Sequence, residues 1–229
     1  MSLVILSPHI DDAVFSCWHL ITQPDVTVVN VFAGVPPKGT NTLWDRCCGE
    51  SDSAVMMQKR KKENDLVLKS RSIAFLNLDY LDRQYRLNDL DLDEIANRIH
   101  EGFKGNFEFY APIAAGVFWR HPDHLALREV GQLLLRKGRK VSFYADIPYM
   151  QMPMDLDGGY AKRMNRRASK LLKLSLVSEI TKLEPEEQEL KRQAMQQYIS
   201  QYKMTNLTSL KTLSRKANLA KEVTFGIKK

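Results

Sequence analysis

The chain has 229 residues, of which 44% are hydrophobic and 27% are charged. This composition is ordinary for a globular protein and excludes disorder of the whole chain. The net charge of +7 suits a nucleic acid, a membrane surface or an anionic small substrate, but no nucleic-acid reader motif or aromatic ladder accompanies the basic runs. We therefore expect a solvated basic surface without a nucleic-acid partner. No apolar run approaches the ~18 residues that a membrane-spanning helix needs, so we expect no membrane partner either.

The three cysteines, Cys17, Cys47 and Cys48, are odd in number and lack the Cys-x-x-Cys spacing of zinc sites. An adjacent pair is also a poor disulfide, so we expect free, chemically inert thiols in a reducing compartment. The N-terminus has no basic region followed by a long apolar one, which further favours the cytoplasm. No linker divides the chain, and we expect a single domain over residues 1–229.

The first half of the chain alternates predicted strands and helices. Apolar, β-branched runs predict strands over 4–6, 26–32 and 76–80. Helical patterns cover 13–22, a long stretch from Ser51 or Ser53 to Ala74, and 92–103. Consecutive strands that are joined by helices are typical of right-handed parallel βαβ units.

The second half continues the alternation and then becomes less regular. Strands are predicted over 107–115 and 141–144, separated by a helix that begins near Pro122. Residues 171–180 are typical of edge strands and 185–202 of a helix, whereas 151–170 and the basic tail after 209 give no prediction. The expected fold class is α/β, a single Rossmann-like domain with a mostly parallel sheet flanked by helices, and with C-terminal edge strands and a helix.

His9, Asp11 and Asp12 directly follow the first strand, which Pro8 ends because proline has no N–H to donate. Ligands of open α/β sheets bind beyond the carboxyl ends of the strands, where these side chains are expected. Taken alone, an Asp-Asp pair at this point is more often a helix N-cap.

A second polar motif, His121-Pro122-Asp123-His124, begins the helix that follows a later strand. Alone, two histidines at this spacing are more often surface or capping residues than metal ligands. Because both motifs follow parallel strands and begin helices, however, we expect them to meet at one rim of the sheet. His9, Asp12 and His124 then form the three-ligand set of an open catalytic zinc site. Asp11 is the expected general base, and His121 the imidazolium that stabilises an oxyanion or protonates a leaving amine.

The two motifs resemble the signature motifs of the LmbE/PIG-L family of zinc-dependent N-deacetylases. The resemblance implies hydrolysis of an N-acetyl group on an amino sugar or its conjugate, with the same ligands and base. Ile10, Ala13 and Asn64 depart from the family's usual residues, as do Phe118, Trp119 and Arg120 before the second motif. These departures leave the ligands and the base intact and bear on the substrate.

Further polar side chains are expected to contact the substrate. We expect Arg60, Asp82, Tyr85 and Arg86 to hold sugar hydroxyls or a charged part of the substrate, with Asp45, Arg46 and Glu63 as further candidates. An ion pair on the helix surface explains Arg60 and Glu63 about equally well.

The predicted function is a zinc-dependent N-deacetylase that acts on a small acetylated amino sugar or its conjugate. Two alternatives stay open at this point: a metal-containing binding protein of the same fold without turnover, and a hydrolase of a non-sugar amide. Assembly into a homo-oligomer also stays open.

Overall fold

The computed structural model of the protein describes residues 1–115, 121–147, 158–208, 212–214 and 216–228. Seven strands lie in these ranges: β1 Ser2–Ser7, β2 Val26–Asn30, β3 Ala74–Asn77, β4 Phe107–Pro112, β5 Lys140–Tyr144, β6 Leu176–Lys182 and β7 Lys221–Ile227. They form one sheet in the order β3-β2-β1-β4-β5-β7-β6. Strands β1 to β5 pair in parallel, and β7 is antiparallel to both of its neighbours. The predicted α/β class with a mostly parallel sheet is confirmed.

Helices flank the sheet. The described helices are α1 Asp12–Ser16, α2 Trp18–Ile21, α3 Leu43–Cys47, α4 Ser53–Lys69, α5 Leu92–Gly102, α6 Pro122–Arg136, α7 Gly158–Leu172, α8 Pro185–Gln196, α9 Ile199–Thr208 and α10 Lys216–Ala220. In the described part of the chain, none of them is both long and apolar enough to cross a membrane.

The central strand β1 is buried on both faces. Val4 and Leu6 belong to one hydrophobic cluster and Ile5 to the other, and all three have no exposed surface. This position explains why the run is continuously apolar rather than alternating. From β1 the chain proceeds to β2 and β3 on one side and later returns to β4 on the other. The carboxyl ends of β1 and β4 therefore border the crevice where ligands bind in such sheets.

The helix predicted over 13–22 is broken at Cys17, whose φ and ψ of −131° and 32° are not helical. The buried carboxylate of Glu222 accepts the backbone N–H groups of Trp18 at 2.7 Å and His19 at 2.9 Å. Lys191 balances this charge at 2.7 Å. A residue from the far end of the chain thus caps α2.

The long helix α4 begins as predicted, but Asp52 rather than Ser51 or Ser53 caps it, by accepting the N–H of Ala54 at 2.8 Å. It ends at Lys69, before Ala74, in a turn where Ser72 has a φ of 56°. Consequently β3 begins at Ala74, two residues before the predicted strand. Helix α3 was not predicted.

The C-terminal third differs most from the prediction. Residues 171 and 172 complete α7, so strand structure begins only at Leu176, and the helix predicted over 185–202 is divided into α8 and α9. The basic tail, for which no prediction was made, forms β7 between β5 and β6. Of the two C-terminal strands, only β6 is an edge strand.

Candidate metal centre and its cavity

The two predicted motifs meet at the carboxyl ends of the parallel strands. His9, Asp11 and Asp12 follow β1, and His124 lies in the first turn of α6, after β4. Asp146 lies two residues after the end of β5. The structure therefore brings the side chains of both motifs to the rim that the sheet topology predicts.

Ser7 stabilises the turn after β1 through hydrogen bonds to the backbone. Ser7 Oγ accepts the N–H of Ala13 at 3.0 Å and donates to the carbonyl of His9 at 2.6 Å. Asp11 stands at the N-cap of α1, but its side chain makes no capping hydrogen bond. The carboxylate of Asp11 therefore does not cap the helix, although capping is the commonest role of an Asp-Asp pair at such a position.

Asp12 joins the two histidines that were predicted as ligands. Its Oδ2 lies 3.0 Å from His9 Nδ1 and 3.1 Å from His124 Nε2. Ligand atoms that surround one tetrahedral zinc ion lie roughly 3.4 Å apart, given metal–ligand bonds of about 2.0–2.1 Å. Asp12 Oδ2 therefore lies slightly closer to each histidine nitrogen than two ligands of one zinc ion would lie to each other.

The other ring nitrogen of each histidine faces a buried carboxylate. His9 Nε2 lies 3.0 Å from Asp123 Oδ2, and His124 Nδ1 lies 2.8 Å from Asp146 Oδ2. Asp123 and Asp146 have no exposed surface. Carboxylates in this position fix the tautomer and orientation of metal-binding imidazoles. Neither aspartate has a role that the sequence predicts.

Two overlapping groups could hold an ion by proximity alone. Within the described ranges, the ligand atoms of His9, His121 and His124 lie within 4.8 Å of one another, as do those of His9, Asp82, His121 and Asp123. Asp12 belongs to neither group, but its Oδ2 contacts His9 and His124, two members of the first group. Asp123 is already engaged by the backbone N–H of Arg83 at 2.9 Å and by Arg86 Nη2 at 2.6 Å.

The carboxylates favour positive charge on the two histidines. Burial opposes it, but Asp82, Asp12 and Asp123 raise the pKa of His9 well above its ordinary value. Burial likewise opposes the charge of His124, yet Asp12 and Asp146 raise the pKa of His124 to about 9. Burial acts against ionisation of Asp12. The contacts of its carboxylate with His124 and His9 nevertheless hold the pKa of Asp12 well below its usual range. A site that attracts protons in this way is suited to bind a cation in their place.

Asp11 and His121 have the opposite tendencies. Burial and the neighbouring charge of Asp12 raise the pKa of Asp11 to about 6. Burial and the nearby imidazoles of His9 and His124 lower the pKa of His121 to about 4. This lowered pKa favours the neutral form of His121, whereas an imidazolium is the expectation from the sequence. Its Nδ1 accepts the backbone N–H of Asp123 at 3.3 Å, which places the ring proton of the neutral form on Nε2.

A cavity of about 360 Å³ opens onto this site, a volume in the range of small-molecule sites. The described residues that line it are His9, Ile10, Asp11, Asp12, Phe15, Phe32, Trp44, Met57, Arg60, Asp82, Gln84, His121, Tyr198, Gln201, Thr205 and Thr208. Asp11, the predicted base, and His121, the predicted partner of the oxyanion, thus line the same cavity.

No family model and no curated protein matches the chain. Solved structures do match. The zinc-inhibited form of teicoplanin deacetylase Orf2 has a TM-score of 0.74 at 22% identity, covering 100% of this chain and 98% of that chain. The A40926 pseudoaglycone deacetylase Dbv21 has a TM-score of 0.71 at 25% identity, covering 99% and 97%. N,N'-diacetylchitobiose deacetylase from Pyrococcus horikoshii has a TM-score of 0.58 at 14% identity, covering 99% and 83%.

The chain has the LmbE/PIG-L deacetylase fold. The expectation drawn from the two motifs is confirmed at this level. The same fold also occurs in GalB, the 4-carboxy-2-hydroxymuconate hydratase from Pseudomonas putida, with a TM-score of 0.56 at 12% identity over 99% of this chain and 96% of that chain. The LmbE/PIG-L fold alone therefore does not decide the reaction, which has to be inferred from the site.

The predicted substrate residues divide into two pairs. Arg60 and Asp82 line the cavity, whereas Tyr85 and Arg86 are not among its described lining residues. The Tyr85 hydroxyl donates to Asp45 Oδ2 at 2.8 Å, and Arg86 pairs with Asp123. Asp45 and Asp123 thus hold these two side chains, and their role in substrate binding stays a prediction.

Arg60 does not form the surface ion pair with Glu63 that was one of the two predicted explanations. Arg60 is buried and its Nη2 donates to Asp45 Oδ1 at 2.9 Å, while Glu63 accepts the hydroxyl of Ser200 at 2.7 Å. Arg46 pairs with Asn41 at the surface. Phe118, Trp119 and Arg120 lie outside the described residues. All three cysteines are free thiols, and Cys17 is buried.

Proposed function

We propose that this protein is a metal-dependent hydrolase that removes an N-acetyl group from an amino sugar or an amino-sugar conjugate. The observation that carries the proposal is the position of Asp12 Oδ2, 3.0 Å from His9 Nδ1 and 3.1 Å from His124 Nε2, beside a cavity that Asp11 also lines. The names of three solved structures with this fold, which are deacetylases, support the reaction class.

Two imidazoles and one carboxylate are a donor set that fits a catalytic zinc ion, which is the cofactor we propose. His9, Asp12 and His124 would hold the ion, with Asp123 and Asp146 as the outer partners of the histidines. When bound, such an ion polarises a carbonyl group and lowers the pKa of water to about 7.

Asp11 is the proposed general base. Its raised pKa of about 6 leaves it ionised at pH 7 and still basic enough to take a proton. We propose that Asp11 accepts a proton from the water whose oxygen attacks the acetamide carbonyl carbon. As the carbon–nitrogen bond breaks, the proton passes to the departing nitrogen. The products are acetic acid, which ionises, and a free amine.

His121 is the proposed partner of the carbonyl oxygen. Because its Nδ1 accepts a backbone N–H, the neutral ring carries its proton on Nε2 and is a hydrogen-bond donor there. A preorganised donor stabilises the negative charge that develops on this oxygen during attack. In this proposal the neutral ring of His121 donates the hydrogen bond, whereas the sequence-based hypothesis assigned this role to an imidazolium.

The test is an assay of zinc-loaded protein with N-acetylglucosaminides, in which acetate and primary amine are measured together. We expect equal amounts of both products. The Asp11→Asn variant should reduce turnover about 10²–10⁴-fold, the typical contribution of a general base, and still bind zinc. Release of acetate from acetylated non-sugar amines alone would favour the hydrolase of a non-sugar amide. Ligand binding without release of any amine would favour the binding protein.

The remaining expectations about partners stay predictions. The cavity suits a small molecule, as proposed for the acetylated substrate. A single domain and a cytoplasmic location are proposed from the sequence.

A further inference from the structure

Helix α7, Gly158–Leu172, packs one apolar face against the sheet. Met164, Ala168 and Leu172 are spaced by four residues, are buried, and belong to the hydrophobic cluster that also contains Val4. Side chains three or four residues apart lie on the same side of a helix. The opposite side of α7 therefore points away from the core.

Four basic side chains lie on this opposite side. Arg166 is two residues from both Met164 and Ala168, which places it across the helix from them. Three further cations are three or four residues from Arg166 and share its side. All four are exposed and are here called the basic face of α7: Lys162, Arg163, Arg166 and Lys170.

Hydrogen bonds attach α7 to its neighbours in the fold. Asn165 Nδ2 donates to the carbonyl of Leu176 at 2.8 Å, and Ser169 Oγ accepts the N–H of Leu176 at 3.2 Å. Gln132 Nε2 on α6 donates to the carbonyl of Leu172 at 3.1 Å. Because Asn165 and Ser169 are engaged within the protein, this helix offers charge to a partner rather than neutral hydrogen-bonding groups.

Much of the positive charge of the chain is concentrated on this segment. Residues 158–173 contain six Lys or Arg and no Asp or Glu, whereas the net charge of the whole chain is +7. In the described part of the chain, ion pairs involve other cations, such as Arg128 with Glu129 and Lys140 with Glu108, and none involves the basic face. Its charge is therefore not neutralised by described carboxylates.

The arrangement of the basic face does not suit a single phosphate group. Eight residues separate Lys162 from Lys170, so the face extends over about 12 Å along the outer side of the helix. A single phosphate binds where several donors converge, as at a helix N-terminus or in a turn. Cations that are spread along a helix match a surface with many negative charges instead.

The chemistry of the basic face also differs from that of a nucleic-acid interface. Such interfaces add neutral hydrogen-bonding side chains to the cations, or stack bases on aromatic rings. Residues 162–172 contain no aromatic residue, and Asn165 and Ser169 contact Leu176. Attraction by charge alone is typical of a basic helix beside an anionic membrane.

We infer that the basic face of α7 binds the surface of an anionic phospholipid bilayer. Contact with a bilayer surface needs no spanning segment, and the expectation of no membrane partner rests only on the lack of such a segment. Because the apolar face of α7 is packed against the protein, the attraction is electrostatic and involves no insertion. This inference goes beyond the proposed function and does not depend on it.

Sedimentation of the full chain with vesicles tests the inference. Vesicles of phosphatidylcholine alone are compared with mixed vesicles that also contain phosphatidylserine. An increase in ionic strength from about 0.1 M to about 1 M shortens the screening length from about 10 Å to about 3 Å. We expect binding to the mixed vesicles at the lower salt concentration, loss of this binding at the higher one, and no binding to phosphatidylcholine alone.

Variants of equal charge locate the binding surface. Each Lys or Arg near an anionic membrane changes the partition coefficient by a factor of about five, so Arg163→Gln/Arg166→Gln/Lys170→Gln should lower it about 100-fold. Urea unfolding checks that the variants are folded. A matched control that removes the same charge from exposed lysines in other segments should retain most of the binding: Lys38→Gln, Lys62→Gln and Lys104→Gln.

The wild-type protein alone can overturn the inference, whether or not the variants fold. Equal binding to both kinds of vesicle, or no binding to the mixed vesicles, would do so. An equal loss of binding in the two folded triple variants would also overturn it. Labelled single-stranded and duplex oligonucleotides are tested at the same salt concentrations. Oligonucleotide binding that depends on the basic face, without binding to the mixed vesicles, would identify a nucleic-acid interface and contradict the inference.

Discussion

Replacement of Asp146 by asparagine should weaken metal binding without changing any proposed ligand. In the native protein Asp146 Oδ2 lies 2.8 Å from His124 Nδ1, and Oδ1 accepts the backbone N–H of Ala114 at 2.9 Å. A carboxylate only accepts hydrogen bonds, so it holds the proton of a neutral His124 on Nδ1. Nε2, the atom that faces Asp12, is then available as a metal ligand.

The asparagine side chain has nearly the same size but one amide donor. If its oxygen keeps the hydrogen bond from Ala114, its NH2 group faces His124 Nδ1 and needs an acceptor there. The proton of the neutral ring then moves to Nε2, which cannot bind a metal while protonated. Loss of an outer partner of a metal-binding histidine typically lowers affinity about 10- to 100-fold. This corresponds to about 1.4–2.8 kcal/mol of binding free energy.

The assay is a zinc titration in competition with a fluorescent chelator, with urea unfolding of the metal-free protein as a control for the fold. Glu108→Gln is the matched variant because Glu108 is also buried, and it accepts hydrogen bonds from Ser142 and Lys140 on β5. We expect wild-type zinc affinity in Glu108→Gln. Unchanged affinity in a folded Asp146→Asn variant, or an equal loss in Glu108→Gln, would refute the proposed role of Asp146.

Three further predictions follow from particular side chains. If Asp11 is the base, kcat/KM should fall with decreasing pH, with a midpoint at or below about pH 6. Burial raises the pKa of Asp11 to about 6, and a bound cation would lower this pKa. A midpoint above pH 7 would contradict the role of Asp11 as the base. Arg86→Gln should lower the free energy of unfolding in urea by about 3 kcal/mol because it leaves the buried carboxylate of Asp123 without its guanidinium partner. Arg98→Gln, at an exposed ion pair with Asp79, should lower this free energy by less than about 1 kcal/mol. Similar losses in both variants would contradict a structural role of the buried pair. Iodoacetamide should modify exposed Cys47 before Cys17, since burial raises the pKa of the Cys17 thiol, and mass spectrometry that shows Cys17 modified first in the folded protein would oppose this.

The sequence predicted the location of the site because strand ends and helix starts are local signals. The run Val4 to Leu6 identified a buried strand, and the two His-containing motifs each followed a strand. Parallel topology then required that they meet, and the structure brings His9, Asp12 and His124 together. Their role as metal ligands stays a prediction. The signals for each motif are local, and only their meeting at one rim depends on the parallel topology of the sheet.

The features that sequence reasoning missed depend on partners distant in sequence. Asp146 contacts a histidine 22 residues earlier, and Glu222 caps a helix that begins 204 residues before it. The position of Asp146 just after β5, on the predicted rim, is the sequence signal that could have identified it. The contacts of Tyr85 with Asp45 and of Arg86 with Asp123 are of the same kind, because a sequence does not show which distant carboxylate engages a loop residue.

The most direct test of the proposed metal centre is a crystal structure of the zinc-loaded protein with anomalous differences measured at the zinc edge. We predict one peak about 2.0–2.2 Å from His9 Nδ1, His124 Nε2 and a carboxylate oxygen of Asp12. A peak held instead by Asp82, His121 and Asp123, or the absence of a peak in zinc-saturated crystals, would contradict the account.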